Sequence, residues 1–268
     1  MPRDVSVTVL DNRPLGGGYF LTTFDSPAQA EEARPGKFLM VGATDPADLL
    51  LRRPFSVCLR ARGSSGEWET MSILFRVVGR GTAFLSRLAA GQRAAILGPL
   101  GRGFTAPSPG ETPLIVAGGV GIAAFPFFLE ELIASDAAPV LLYGGRTSAD
   151  LPLLDRLRRS VADIEITTDD GSAGARGLVT DPLTRRLERA AGPFRVYACG
   201  PTPMMKKTAE ITGRFGVPCE VSLETPMGCG YGVCVGCVVE VRSSDSEYGR
   251  YRRVCVDGPV FDAAEIAW

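Results

Sequence analysis

Pro113–Ser135 reads PLIVAGGVGIAAFPFFLEELIAS. A continuous apolar run gives way to glycines at 118, 119 and 121, and then to apolar residues spaced as on one side of a helix. Buried strand, glycine turn, helix is the opening unit of a parallel α/β sheet. Its uncharged part, residues 113–129, is broken by glycines and by Pro126 and is shorter than the roughly 20 residues a membrane-spanning helix needs.

Downstream the alternation continues. PVLLYGGR and IEITTDD read as strands, DLPLLDRLRRS as a helix, FRVYACGP as a further strand and TPMMKKTAEITGRFG as a helix ending before Pro218. Strands alternating with helices predict a doubly wound parallel sheet. Upstream the rhythm is different. VSVTVLDN, YFLTTFDS, KFLMVGA, PFSVCLRA, ETMSILFRVVG and RAAILGPLG are short, rich in β-formers and separated by Gly, Pro, Asp and Asn. They predict a closed antiparallel barrel, with a single helical interruption over Thr82–Gly91. After Glu220 the chain returns to loop and strand character. The expected fold class is therefore β plus α/β, with domains over 1–103, 104–222 and 223–268. No internal repeat or low-complexity linker divides them.

The chain has 268 residues, 29 Lys and Arg against 30 Asp and Glu, and no histidine. A net charge of −1 argues against nucleic acid or an anionic membrane as the main partner. Without histidine, any metal must be held by thiolate or carboxylate, and redox chemistry is expected on a bound cofactor. MPRDVSVTVLDNRPL lacks the apolar core of a secretory signal. Seven cysteines without such a signal predict a reducing, cytoplasmic setting, where clustered thiols serve metal or redox work.

Three of those cysteines lie in MGCGYGVCVGCVV, Met227–Val239. Cys229, Cys234 and Cys237 have the C-x4-C-x2-C spacing of a plant-type [2Fe–2S] site, which a distant cysteine completes. Downstream only Cys255 remains, on an expected strand. Glycines at 228, 230, 232 and 236 let the loop wrap a cluster and turn N–H groups toward its sulfurs. A structural zinc site also takes four thiolates, but zinc ribbons pair two knuckles and Cys255 stands alone.

Arg53-Pro54-Phe55-Ser56 combines a guanidinium for a diphosphate, an aromatic for an isoalloxazine or ribityl chain and a hydroxyl for the flavin N5. Gly79-Arg80-Gly81-Thr82 opens the predicted helix of the same region, where backbone N–H groups suit a pyrophosphate. Either stretch alone is equally a surface turn. Gly119 and Gly121 sit where a dinucleotide's phosphates are met, although tight strand–helix packing asks for the same glycines. Ala198-Cys199-Gly200-Pro201 ends the last parallel strand at the ligand-binding edge, or simply buries a cysteine.

Taken together, the chain resembles the ferredoxin–NADP reductase superfamily, and within it the electron-transfer subunits of class B, NAD-dependent dihydroorotate dehydrogenases. The carrying stretches are LLRRPFSV, FRVVGRGTAFLS, ILGPLGRGF, VAGGVGIA, YGGRTSADL, TTDDGSAGARGLVTD, YACGPTPM, MGCGYGVCVGCVV and RVCVDGPVF, in that order over essentially the whole chain. The resemblance implies FAD on Arg53, Pro54, Phe55, Ser56, Leu74, Phe75, Arg76, Gly81 and Thr82, and [2Fe–2S] on Cys229, Cys234, Cys237 and Cys255. It puts Cys199 near the nicotinamide, which with Ser56 gives the candidate catalytic pair. Two departures stand out: Phe55 replaces a tyrosine, and Ala124-Phe125 separates the glycine turn from a proline that relatives often carry directly after the alanine.

The implied function is that of an electron conduit in pyrimidine biosynthesis. Electrons from dihydroorotate reach FMN on a partner catalytic subunit, pass through [2Fe–2S] to FAD here, and leave to NAD+. The implied assembly is a heterotetramer with two copies of each chain. The same module could serve a sulfide dehydrogenase or a ferredoxin:NADP reductase complex, and a zinc-stabilised scaffold without catalysis is a reading of another class. For the nucleotide, Arg146 with Thr147 and Ser148 leans toward NADP, whereas Asp150 and the resemblance lean toward NAD(H), which is the expectation taken.

Overall fold

The computed structural model describes residues 3–45, 47, 49–189, 192–244 and 247–268. The chain packs as two compact units. One holds the chain up to Gly103 with Glu224–Val238 and Arg253–Pro259; the other holds Phe104–Leu223, Val239–Arg252 and Val260–Trp268.

The first unit is built on seven antiparallel strands: β1 Arg3–Gly16, β2 Tyr19–Asp25, β3 Phe38–Gly42, β4 Arg53–Ser56, β5 Leu59–Arg62, β6 Trp68–Arg76 and β7 Arg93–Leu100. Their order is β4-β3-β7-β1-β2-β6-β5, so the two edge strands are consecutive in sequence. Only Val57 and Cys58, both fully buried, separate them. Val57 N donates to Lys37 O (3.0 Å) beside β3, and Cys58 N donates to Ser72 O (2.9 Å) on β6. The run expected as one strand, PFSVCLRA, thus breaks in the middle, and its two halves become the two end strands of a curved antiparallel half-barrel where a closed barrel was expected.

Two helices accompany the barrel. The six residues of α1, Pro27–Glu32, are too few to show a period in the sequence, and only one helical interruption was expected. The expected helix over Thr82–Gly91 is shorter and starts earlier, as α2, Arg80–Leu85. Beyond it the chain tightens into three-residue turns, Arg87 N to Phe84 O and Leu88 N to Leu85 O, and leaves through Gly91 at φ +87°. Asn12 Nδ2 from β1 donates to the carbonyls of Leu85 (2.9 Å) and Leu88 (2.8 Å), while its Oδ1 accepts from Thr22 (2.6 Å).

The second unit carries β8 Thr112–Gly118, β9 Val140–Gly145, β10 Asp163–Thr168, β11 Ala175–Arg176, β12 Phe194–Cys199 and β13 Cys219–Ser222, all parallel. A ribbon of β14 Val238–Glu240 and β15 Tyr251–Arg253 follows, and β16 Val260–Asp262 adds antiparallel to β13. The order β11-β10-β9-β8-β12-β13-β16 reverses direction between β8 and β12. Helices α3 Pro126–Ala134, α4 Leu154–Ser160, α5 Thr180–Arg189 and α6 Thr202–Phe215 make the crossovers, and a one-turn α7, Val254–Asp257, belongs to the first unit. Of these, α5 was not expected, because TDPLTRRLER has few apolar residues to display a stripe. The helix expected from Gly121 onward is delayed: a 3-10 turn covers Gly119–Ala124, and α3 starts at Pro126, a residue suited to the first helical position because it has no N–H to satisfy.

The start of the second unit is anchored to its own sheet. Phe104 stacks on Phe125 and Phe128 (centroids 5.4 and 5.1 Å) and meets Tyr197 edge-on (5.6 Å). Tyr197 OH donates to Thr105 O (2.7 Å), and Thr105 N donates to Glu220 (2.9 Å). No helix among the described residues is long and apolar enough to cross a membrane.

Candidate flavin, nucleotide and cluster sites

The cysteine loop lies in the first unit. Cys234 N approaches Cys229 Sγ at 3.4 Å, and Cys255 N approaches Cys237 Sγ at 3.4 Å, so the four thiols fall into two pairs. Among the described residues no three metal-ligating side chains converge on one point. Cys255 sits on helix α7, which corrects the expectation of a strand. The turn is fixed by Val254 N donating to Cys237 O (2.8 Å) and by Asp257 accepting from Arg253 N (2.8 Å). Those contacts bring a residue distant in sequence beside the loop.

Within the loop, Cys229 is the thiol favoured as thiolate. Burial alone would raise the Cys229 thiol, but backbone N–H groups of Cys234, Tyr231 and Val233 aimed at the sulfur bring it down to about 6. Cys255 is held up to about 12, by burial first and then by Cys237 and Cys229. Two thiol pairs with N–H groups on sulfur fit a binuclear iron–sulfur cluster, each iron taking two thiolates. Of the glycines, Gly230 (φ +83°) and Gly232 (φ +92°) are demanded by the backbone. Two further cysteines are elsewhere: Cys58 is buried between β4 and β5, and Cys219 lies on β13 with its thiol pushed up to about 12 by burial.

In the flavin stretch, Arg53 rests on the start of α2. A Cβ added at Gly81 would lie 3.1 Å from Arg53 Cγ and 3.2 Å from its Nε. Arg53 Nη1 donates to Leu51 O (2.9 Å) and Arg52 O (3.2 Å), and among the described residues the rest of the fork has no protein partner. A half-buried guanidinium with donors to spare, against a helix start, fits a diphosphate. Thr82 does internal work: its hydroxyl accepts from Val78 N (2.9 Å) and Gly79 N (3.2 Å), capping α2.

The remaining flavin residues divide between two faces of the sheet. Phe55 and Phe20 both pack on Phe75 (centroids 5.6 and 5.8 Å). By strand alternation Leu74 and Arg76 face the other way, where the Arg76 guanidinium lies 5.3 Å over the Tyr19 ring. Ser56 and Pro54 share the side opposite Phe55 and are half-buried. Tyr19 and Phe20, which the sequence did not single out, therefore orient two of the expected flavin residues. Their only signal was an aromatic pair directly after three glycines.

In the second unit, the reversal between β8 and β12 creates the crevice in which such sheets bind ligands. Its floor is tight. A Cβ at Gly121 would overlap the Cys199 carbonyl oxygen and stand 2.7 Å from Gly200 Cα, and one at Gly118 would meet Met204 Sδ at 2.6 Å. Gly119 adopts φ +54°. Close packing of the two loops thus explains these glycines, and the same closeness leaves bare backbone at the crevice. Cys199 is buried at its base.

At the end of β9, Arg146 Nε pairs with Asp150 (3.8 Å), whose carboxylate is buried and also faces Thr147 Oγ1 (3.3 Å). The loop after β10 adds Asp170, held below the usual carboxylate range by the hydroxyl and N–H of Ser172. Ser172 Oγ in turn accepts from Ser148 N (2.8 Å).

A flavin-type antiparallel sheet, a reversed parallel sheet and a three-cysteine loop joined by Cys255 define an iron–sulfur reductase of the ferredoxin–NADP reductase class. The comparisons narrow this. The model for the iron–sulfur cluster binding domain of dihydroorotate dehydrogenase B matches residues 224–267, and that for the oxidoreductase NAD-binding domain matches 115–210. The dihydroorotate dehydrogenase B (NAD(+)) electron transfer subunit of Desulforamulus reducens is 37% identical, covering 91% of each chain. Its counterpart in Geobacillus thermodenitrificans is 37% identical, covering 97% of each. A solved structure of an NADH-dependent reduced ferredoxin-NADP oxidoreductase matches with a TM-score of 0.82 at 31% identity, over 98% of this chain and 90% of that one. The chain belongs to the family of electron-transfer subunits of NAD-dependent dihydroorotate dehydrogenase B.

Proposed function

We propose that this chain moves electrons between NAD(H) and a partner subunit by way of FAD and a [2Fe–2S] cluster. The observation that carries the reading is that the Arg53–Ser56 strand and both thiol pairs share one compact unit. Bound together, the two groups supply an exchange between a two-electron nicotinamide and single-electron carriers. The chain's own residues bind and orient. Arg53 grips the diphosphate beside Gly81, Pro54 and Phe55 lie along the flavin, and Ser56 offers a hydroxyl to its ring edge. Leu74, Phe75 and Arg76 complete the seat, with Thr82 securing the helix start. Gly119 and Gly121 admit the dinucleotide, and Cys199 lies by the nicotinamide. Cys229, Cys234, Cys237 and Cys255 hold the iron. A chain without histidine suits this work, since none of these roles needs an imidazole proton relay.

The relatives' name, an electron transfer subunit of dihydroorotate dehydrogenase B, supports a dihydroorotate dehydrogenase catalytic subunit as the partner; we take that subunit to carry FMN, to assemble as two copies with two of this chain, and to work in the cytoplasm in pyrimidine biosynthesis. In functional terms the chain divides into a flavin module (1–103), a nucleotide module (104–222) and a cluster module (223–268). Tyr231, Val233 and Val235 are exposed on the cysteine loop, as a docking edge for a partner requires. Mixing the purified chain with such a catalytic subunit should make NADH formation depend on dihydroorotate and on both chains. Activity with ferredoxin or sulfide, and none with dihydroorotate, would replace the partner.

A further inference from the structure

We infer that Met40 is a positioning residue that sets the seat of the iron–sulfur loop against the flavin strand. The inference rests on the flavin and cluster assignments just proposed. Met40 lies at the centre of β3 and is 1% exposed. Its neighbour across the ladder on β4 is Pro54, and on β7 it is Leu97. Residues directly opposite in a sheet project to the same side, so the Met40 side chain stands beside Pro54 on the face that Ser56 and Phe38 also share.

The cysteine loop is laid on that same face. A Cβ at Gly230 would overlap Met40 Cγ, lie 2.8 Å from its Sδ and reach Leu100 Cδ1 at 3.5 Å. Gly230 immediately follows Cys229. The chain leaving Cys255 settles there too: Arg102 N donates to Gly258 O (2.5 Å), and a Cβ at Gly101 would come 2.6 Å from Gly258 O and 3.0 Å from the Phe38 ring. One buried thioether is therefore packed against the loop that carries the first thiol pair and stands in register with the strand assigned to the flavin. Close packing transmits displacement, because interiors deform little and have few voids. Shortening Met40 lets the loop sink or tilt relative to β4. Leucine, of similar volume and unbranched at Cβ, keeps the seat.

The test uses the full chain loaded with FAD and cluster. In Met40→Ala, iron and FAD per chain stay at the unaltered level, and NADH bleaches the flavin at the same rate. Cluster reduction, followed by freeze-quench electron paramagnetic resonance, slows several-fold. Iron release to a chelator, which needs no turnover, becomes several-fold faster in Met40→Ala and in Gly230→Ala. Met40→Leu restores both rates. If Met40→Ala does not retain iron, Met40→Val carries the same comparison. Unchanged cluster reduction and iron release in the shortened variant would overturn the assignment. Failure of NADH to bleach the flavin in the unaltered chain would instead overturn the functional reading.

Discussion

Arg53 lies across Gly81 so closely that a β-carbon there would stand 3.1 Å from the arginine Cγ, and this contact aims the only cation of the Arg-Pro-Phe-Ser strand along the start of α2. Removing the guanidinium deletes a charge-assisted contact to phosphate worth about 1.5–3 kcal/mol. Arg53→Ala should weaken FAD binding roughly ten- to a hundredfold by that figure. Gly81→Val should do nearly as much by pushing Arg53 aside. Fluorescence titration of the apoprotein with FAD measures both, and unchanged affinity in Arg53→Ala would move the diphosphate elsewhere.

The pairing of Cys255 with Cys237 makes a second prediction. Cys255→Ser should lose most of its iron and acid-labile sulfide, whereas Cys58→Ser and Cys219→Ser, which lie buried between β4 and β5 and on β13, should retain both. Stoichiometric iron in Cys255→Ser would show that another group completes the set.

Nucleotide choice turns on Arg146. Its guanidinium is paired with buried Asp150, and Asp170 adds negative charge on the neighbouring loop, so a 2′-phosphate finds a poor host. NADH should exceed NADPH in diaphorase kcat/KM by at least about tenfold, a difference near 1.4 kcal/mol. Asp150→Asn should narrow that ratio by releasing Arg146. A preference for NADPH in the unaltered chain would contradict the reading.

Acid stability follows from Glu111. The Arg195 guanidinium (2.8 Å), and then Ser108 N (2.7 Å), hold its carboxyl below the ordinary value of 4.5. A lowered folded value means stabilisation that is complete above pH 4.5 and is lost as pH falls through the folded value. Glu111→Gln should lower Tm at pH 7, and the gap to the unaltered protein should close on acidification below pH 4.5. A gap independent of pH would show that the loss is one of packing alone.

Much of the architecture could be read from local pattern. The period-2 and period-3.6 segments located most strands and the long helix α6, and cysteine spacing pointed to a cluster because its ligands must recur at fixed intervals. What escaped depended on partners distant in sequence. Cys255 was placed on a strand because its helical turn exists only through Cys237 and Asp257. For Gly121 the sequence left phosphate binding and tight packing both open, and the partners that make packing its immediate need, Cys199 and Gly200, are brought beside it only by the folded sheet. Met40, inside the apolar run of β3, carries no local mark at all.

In the proposed function, nicotinamide electrons reach Cys229, Cys234, Cys237 and Cys255 through this chain's flavin. Anaerobic addition of NADH to the purified protein, followed by low-temperature electron paramagnetic resonance, tests it most directly. The expected result is bleaching of the flavin together with a reduced [2Fe–2S] signal that disappears in Cys255→Ser. A bleached flavin with a cluster that dithionite reduces and NADH does not would contradict it.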